Sequence, residues 1–331
     1  MTPPGRLGSP VISALVAFAA CMACAPLWAA SAKVTDSYPT RPVRVVTAAA
    51  SGSNDFAARI IAQELAVRLG QPVIVDNRPG RFVAGDIVAK AAPDGHTLLF
   101  SGTTLWVGPL LHGRPSYDAI ADFAPVTLAT RSPNVLVVHP SLAATNVREL
   151  IALAKSRPGS MNYSTGSLGA SAHLAGELFK FMAVIDVVCI PYKGAGPSLN
   201  ALMGAEVHYS FPAAGSGMPH VRAGRLRVLA VTSEKPTELA PGVPTVAASG
   251  LPRFESSSII GLFAPAKTDR RIVERLNSEI VQLLHEPGVR ERLFRVGMEA
   301  AATRADELAA TMQAEIVKYG NLIRTAGIRV D

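Results

Sequence analysis

The sequence predicts an α/β protein of two lobes, each a mostly parallel sheet flanked by helices. Three observations carry that expectation. Strand-like and helix-like segments alternate over the first hundred residues, the alternation restarts after His139-Pro140, and glycine- and hydroxyl-rich turns follow several of the strands. A chain of 331 residues is long enough for two domains with cores of ordinary size.

Residues 1–32 read as a secretory signal peptide. Arg6 precedes an apolar run from Val11 to Ala30, broken only by Ser13 and Pro26, and Ala30-Ser31-Ala32 supplies the small-residue cleavage spacing. Pro26 and the small-residue end distinguish this run from a membrane span. Export to the periplasm with cleavage near Ala32 is expected. Cys21 follows Phe18-Ala19-Ala20, a weak likeness to a lipoprotein cleavage box, so lipidation at Cys21 stays open.

After a polar linker, residues 43–46 form an apolar strand and residues 55–69 a helix with Phe56, Ile60, Ile61 and Leu65 on its inner side. Gly70 stands where a helix C-terminal glycine belongs. Residues 72–75 are the next strand, 85–92 a helix, and 97–100 and 135–138 further strands. In the second half Asn146 caps a helix through Lys155, with Glu149 completing a capping box. Residues 162–164 are a strand, 171–182 a helix, 187–191 a strand, 196–203 a helix and 207–211 a strand. A short helix at 219–223 and a strand at 226–232 come next. Residues 233–252 read as loop and 259–264 as strand, and 270–285, 287–296 and 305–326 as amphipathic helices. The segment after Gly250 is too short for a third domain and is expected to pack back on the first lobe. The expected division is therefore 38–136 with 257–331 for one lobe and 137–256 for the other.

The composition narrows the chemistry. The chain carries 32 Lys+Arg against 25 Asp+Glu, and Arg6 leaves with the leader. This modest basicity suits an anionic partner. The cations are dispersed with few aromatics among them, which argues against nucleic acid. Cys189 is the only mature thiol and reads as a small buried hydrophobe; no disulfide or cysteine-built metal site can form within one mature chain. The seven histidines are scattered, and no phosphate-loop, H-E-x-x-H or calcium-loop pattern occurs. A G-x-S-x-G motif exists only in broken form at Gly215-Ser216-Gly217. No enzyme activity, cofactor or bound metal is expected. A hydrolase built from Ser171, His173 and Asp55 has little support, because Ser171 and His173 are two apart at a helix start and do not face each other.

Turns at strand ends supply the candidate ligand-binding residues. The first holds Ala49, Ala50, Ser51, Gly52, Ser53 and Asp55; capping of the helix by Asn54 or Asp55 is the plainer reading of this turn alone, and both roles can hold together. The second is Ser101, Gly102 and Thr103. The third runs through Thr165, Gly166 and Ser167 to Ser171 and His173. The fourth contains Lys193, for which a solvated loop side chain is the plainer reading, and Gly194. Pro212 and Ala213 complete the set. Such turns present backbone N–H groups at helix N-termini, where a carboxylate binds well, and four of them shared between two lobes would make a ligand cleft.

Longer phrases resemble a known family. Tyr38-Pro-Thr-Arg-Pro-Val-Arg-Val-Val, Asp76-Asn-Arg-Pro-Gly80 and Ala89-Lys-Ala-Ala-Pro-Asp-Gly-His-Thr-Leu-Leu are similar to the first lobe of the Bug receptors. So is Asp122-Phe-Ala-Pro-Val. Ser171-Ala-His-Leu-Ala-Gly-Glu-Leu-Phe, Pro191-Tyr-Lys-Gly, Leu229-Ala-Val-Thr-Ser and Val243-Pro-Thr-Val resemble the second. These TctC-like receptors are the extracytoplasmic solute-binding components of tripartite tricarboxylate transporters, and the likeness spans Tyr38 to about Ile328. It implies a monomeric periplasmic binding protein of the type II-like Venus flytrap kind. Such a protein closes on a small carboxylate (a dicarboxylate, nicotinate-like or aromatic acid) and serves a membrane permease or, alternatively, a membrane sensor. It further implies that residues 49–55 and 164–171 grip one carboxylate, with Ser101–Thr103 and the Lys193 turn lining the same cleft. The family's first turn usually carries an aromatic residue and a second glycine where this chain has Ala48 and Ser51. Arg81 or Phe82 is expected to reach toward the cleft mouth. Phe211-Pro-Ala-Ala lacks an acidic residue to receive a ligand ammonium, which argues against amino acids.

Overall fold

Four of the five residues in the first strand, β1 (Val43–Thr47), are β-branched, and the chain lays them into the interior of a six-stranded sheet, one strand in from its edge. The computed structural model describes Met1 and residues 38–48, 50, 53–80, 82–113 and 115–328. Apart from Met1, the segment expected to be a signal peptide, with Cys21 and Ala32, lies outside the described residues, as do Ala49, Ser51, Gly52 and Arg81. All elements below belong to one compact unit, Pro39–Asp331.

From β1 the chain runs through α1 (Ser53–Leu69), β2 (Val73–Asn77), α2 (Val83–Ala89) and β3 (Thr97–Gly102). A 3-10 turn (Thr103–Leu105), the short α3 (Gly108–Leu111) and β4 (Phe123–Pro133) follow. It then enters a second sheet with β5 (Val135–Val138), α4 (Val147–Ser156), β6 (Met161–Thr165), α5 (Ser171–Ala183) and β7 (Val187–Pro191). That lobe continues with α6 (Ala195–Met203), β8 (Tyr209–Ser210), α7 (Ala214–Arg222) and β9 (Arg227–Val231). β10 (Ser257–Pro265), α8 (Arg270–His285), α9 (Pro287–Arg295), β11 (Glu299–Ala300) and α10 (Ala305–Thr325) end the chain. The sheet orders are β11-β4-β10-β3-β1-β2 and β7-β6-β8-β5-β9. In the first, β10 and β11 run against the other four strands; in the second, β5 alone is reversed. Both sheets are thus mixed: most strands point one way and are joined by helical crossovers, while the reversed strands make three of five neighbouring pairs in the first and two of four in the second antiparallel. β10 returns to the first sheet between β3 and β4, so the chain crosses twice.

Several details differ from the sequence expectations. β4 is an eleven-residue strand that periodicity does not reveal, because Pro125 and Pro133 interrupt it. The sheet tolerates Pro125 where the β10 ladder slips register between Leu262 and Phe263. The inner face of α1 is Ala57, Ala58, Ile61, Ala62, Leu65 and Leu69, while Phe56 is 46% exposed. Positions 57, 58, 61, 62, 65 and 69 form one stripe at helical spacing, and position 56 falls outside it. Asn146 Oδ1 accepts the Glu149 N–H at 3.0 Å, but the Glu149 carboxylate reaches one residue further back than a capping box, to the Thr145 N–H at 2.7 Å. α7 starts five residues earlier than expected, at Ala214, despite Gly215 and Gly217. Phe82 does not reach a cleft mouth; its ring packs edge-on against Tyr117, with centroids 6.2 Å apart, because burial favours the apolar ring there.

Phe179 makes ring contacts with Tyr209, Phe211 and Phe254 at centroid distances of 5.9, 5.6 and 6.3 Å, and Tyr209 stacks on Tyr163. This aromatic block fills the core behind the second sheet. Trp106, Tyr117, Phe123 and Phe263 do the same in the first. No described helix is long and apolar enough to cross a membrane.

Candidate functional site

A cleft of about 300 Å³ opens where four helices begin. Its lining includes Ser53, the first residue of α1; Ala170, Ser171 and Ala172 at the start of α5; Gly194 and Ala195 at the start of α6; and Ala213 and Ser216 at the start of α7. Ser53 comes from an element of the first sheet and the others from the second, so the cleft lies between the two. None of the described lining residues carries a charged side chain. Each helix N-terminus places roughly half a positive charge and free N–H groups at its mouth. Ala170, Gly194 and Ala213, the N-cap residues of α5, α6 and α7, make no side-chain capping bond. By contrast Asn146 and Asp269 cap α4 and α8. Apart from the Ser216 N–H, which donates to Ala213 O at 2.9 Å, the first-turn donors of α5, α6 and α7 have no side-chain cap, and an anion is the group they suit.

The turns are tied to one another. The Tyr192 N–H donates to Thr165 O and the Gly194 N–H to Gly166 O, each at 2.8 Å. A Cβ on Gly166 would lie 2.7 Å from both Ala195 N and Gly194 C, so only glycine permits this approach. Beneath them Ser198 Oγ donates to Ser164 Oγ at 2.8 Å, and Ser210 Oγ donates to Ser164 O at 2.9 Å. This serine cluster is buried and holds the C-terminal ends of β6 and β8 against α6.

Of the candidate residues, the structure brings Ser53, Gly166, Ser167, Ser171, Gly194, Pro212 and Ala213 to the cleft. Several others have different work. Asp55 is buried, pairs with Arg59 at 2.9 Å and accepts from Asn77 Nδ2 at 2.9 Å; the same amide donates to Ala48 O at 3.0 Å. It fixes the β1–α1 turn from behind. Thr165 Oγ1 donates to Ser167 O at 3.2 Å. Gly102 is a close-approach glycine whose Cβ would meet Ile259 O of β10 at 2.5 Å. Ser101 is half-buried and pairs with Gly261 in the sheet. Thr103 Oγ1 donates to Glu315 of α10 at 3.2 Å. Lys193 and Ala50 are exposed, and neither belongs to the cleft lining.

His173 is buried, and its Nδ1 accepts the Gly169 N–H at 3.1 Å. Burial lowers its pKa, with Lys180 and His112 acting in the same direction, so the ring is neutral at pH 7 with its proton on Nε2. His173, Glu177 and Cys189 place one potential ligand atom each within 4.8 Å of one another. The His173 tautomer opposes coordination through Nε2. Glu177 already accepts from Tyr163 at 2.7 Å and Lys180 at 3.1 Å. Burial pushes the Cys189 thiol up, which keeps it protonated. Cys189 packs against the apolar core as expected, but it is only partly buried and also borders this polar cluster. Its members support the 164–171 turn.

Sequence reasoning missed Ser198, Ser210 and Ser216. Ser216 lies in the fragment noted for its broken nucleophile motif. The other two carry no local signal, because α6 and β8 bring them to the cleft only through the sheet order. A surface groove of about 490 Å³, lined by Glu238, Arg290, Glu291, Phe294, Met298, Glu299 and Ala300, shares no residue with the cleft.

Residues 57–328 match the family model described as tripartite tricarboxylate transporter family receptor. The protein BugT of Bordetella pertussis is 35% identical over 300 residues, covering 89% of this chain and 92% of BugT. The structure of Rhodopseudomonas palustris Rpa4515 with adipate superposes with a TM-score of 0.76 at 34% identity, covering 88% of this chain and 99% of that one. MatC from the same organism, with bound malate, gives 0.72 at 30% identity over 86% and 100%.

Proposed function

This chain belongs to the tripartite tricarboxylate transporter receptor family, a family of solute-binding receptors, and from that premise we propose that it captures a small dicarboxylate in the cleft between its two sheets. The observation that carries the reading is the set of four helix N-termini around an uncharged cleft, three of them without side-chain caps. Backbone N–H groups and serine hydroxyls hold one carboxylate there without any group placed to break a bond. The lobes are 38–134 with 257–331 and 135–256, the boundary falling at Asn134 and not at 136 because all of β5 pairs in the second sheet, and they close over the ligand. The loaded form acts outside the cytoplasmic membrane and delivers its acid to a membrane permease.

Adipate and malate, the acids in the two related structures, are the first probes. Ligand that binds only the folded state stabilises it by RT ln(1 + [L]/Kd), about 2.7 kcal/mol at a hundredfold excess over Kd. For a chain of this size that corresponds to a rise in unfolding temperature of roughly 4–5 °C. A panel of mono-, di- and tricarboxylates read by thermal unfolding and calorimetry is expected to give at least one such shift. Unchanged unfolding with every acid would overturn the reading.

A further inference from the structure

Asn134 is the single residue between β4 and β5, where the chain first passes from one sheet to the other. It is completely buried. Its main chain is fully engaged: its N–H donates to Thr232 Oγ1 at 2.8 Å, and its carbonyl accepts from Thr232 N at 2.9 Å and Oγ1 at 3.0 Å. Thr232 directly follows β9, so these bonds fasten the outgoing crossing to the start of the return. A bridge to Ala213 flanks Asn134 on its other side.

The side chain is only half used. Oδ1 accepts the Ser171 hydroxyl at 3.4 Å, and Nδ2 has no hydrogen-bond partner among the described residues. Leaving a buried amide donor unpaired costs about 1–3 kcal/mol, a cost that an apolar side chain of similar size would avoid. The neighbours point to the missing acceptor. Ser171, which the side chain touches, Ala213, which the backbone bridges, and Pro212, whose carbonyl accepts the Val135 N–H at 2.9 Å, all line the cleft. Asn134 is not itself among the residues that line the open cleft, so its donor meets an acceptor only when a bound acid, ionised and therefore a strong acceptor, reaches past Ser171 and Pro212.

We propose that Asn134 is a ligand-binding residue of this cleft, its side-chain amide donating a hydrogen bond to a carboxylate oxygen of the bound acid. The proposal rests on the dicarboxylate reading above. A ligand held by both Ser171 and Asn134 bridges the mouth of α5 and the point where the two crossings are fastened. Occupancy of the cleft is thereby transmitted to the hinge between the lobes.

The test is Asn134→Asp in the mature chain, which keeps the shape and replaces the donor by a charged acceptor. Calorimetry with adipate and malate at pH 8 is expected to show at least a hundredfold weaker binding than the parent. A second measurement does not depend on that variant folding. In parent protein labelled with 15N-asparagine and assigned by triple-resonance spectra, the Asn134 side-chain amide pair is expected to shift on adding the acid that binds. Parent-like affinity in the Asp variant would mean that an acceptor is tolerated here, and would overturn the inference. So would an amide pair that stays put while the acid binds, the signature of a donor that the ligand does not reach. Both outcomes leave the dicarboxylate reading intact. If the parent itself binds no acid, that reading fails and this inference fails with it.

Discussion

Gly166→Ala is expected to weaken dicarboxylate binding by more than about a hundredfold while the unliganded protein still folds. No unusual backbone angle makes this position special; the obstacle is the neighbouring turn. A Cβ would stand 2.7 Å from Ala195 N and Gly194 C and 2.9 Å from Gly194 O, all backbone atoms that cannot swing aside. The β7–α6 turn must therefore move as a unit. It takes with it the Gly194 N–H to Gly166 O bond and the alignment of the α5 and α6 N-termini. Hydrogen bonds to a charged group are worth about 1.5–3 kcal/mol each, so misplacing two of them removes more than a hundredfold in affinity. Overpacking of this kind costs the fold about 1–3 kcal/mol, which a two-lobed domain survives. Gly196→Ala, two residues beyond Gly194 with nothing within 4 Å of its Cβ, is the control and should bind within threefold of the parent. Calorimetry with adipate and thermal unfolding of both variants decide the matter. Parent-like affinity in Gly166→Ala would show that the two turns do not hold one ligand.

The second large effect concerns stability and pH. Glu315 of α10 is 5% exposed, and its carboxylate accepts from Trp106 Nε1 at 2.8 Å and Thr103 Oγ1 at 3.2 Å. Burial raises its pKa to about 7, with the Glu255 charge adding to the rise; Lys318 and the two hydrogen bonds oppose it. In the unfolded chain the same group titrates near 4.5. Between those values the folded state holds the extra proton, so stability falls as pH rises from about 4.5 through about 7 and levels off above. A difference of this size amounts to roughly 3 kcal/mol. Glu315→Gln keeps an oxygen for Trp106 and offers an N–H to Thr103 Oγ1, but cannot ionise. It is expected to be more stable than the parent at pH 8 by up to about 3 kcal/mol and nearly equal at pH 4.5. Chemical denaturation of both proteins across that range would show the two curves converging at acid pH. Parallel curves would remove Glu315 as the source.

Much of the architecture was legible in the sequence because burial and periodicity are local. The strands at 187–191 and the helix at 270–285 were placed to the residue, since an apolar run and an amphipathic stripe announce themselves. β4 was not, because two prolines hide a strand that only its partner β10 makes regular. The cleft was half legible. Glycine turns at strand ends identified Gly166, Ser171 and Gly194, yet Asp55, Thr165 and Thr103 proved to be committed to structural bonds. A polar side chain near a turn looks the same in sequence whether it faces a ligand or fastens the turn.

By itself, then, the sequence determined the two-lobed α/β plan, the kinship with carboxylate receptors and the turns at which a ligand would be sought. The tertiary structure alone decided which helix mouths meet. Ser53 and Ser216 lie 163 positions apart in the chain and line one cleft because β10 returns to the first sheet and α7 follows β8. It also decided which donors remain free. Ala170, Gly194 and Ala213 have no side chain that can cap, but only the fold sets them at the N-caps of three helices around one cleft while Asn146 and Asp269 cap helices elsewhere. So does the orphan amide of Asn134, whose environment is made by residues 37 and 98 positions away in the chain. Hydrogen-bond satisfaction is a property of the folded neighbourhood, and no local pattern of residues encodes it.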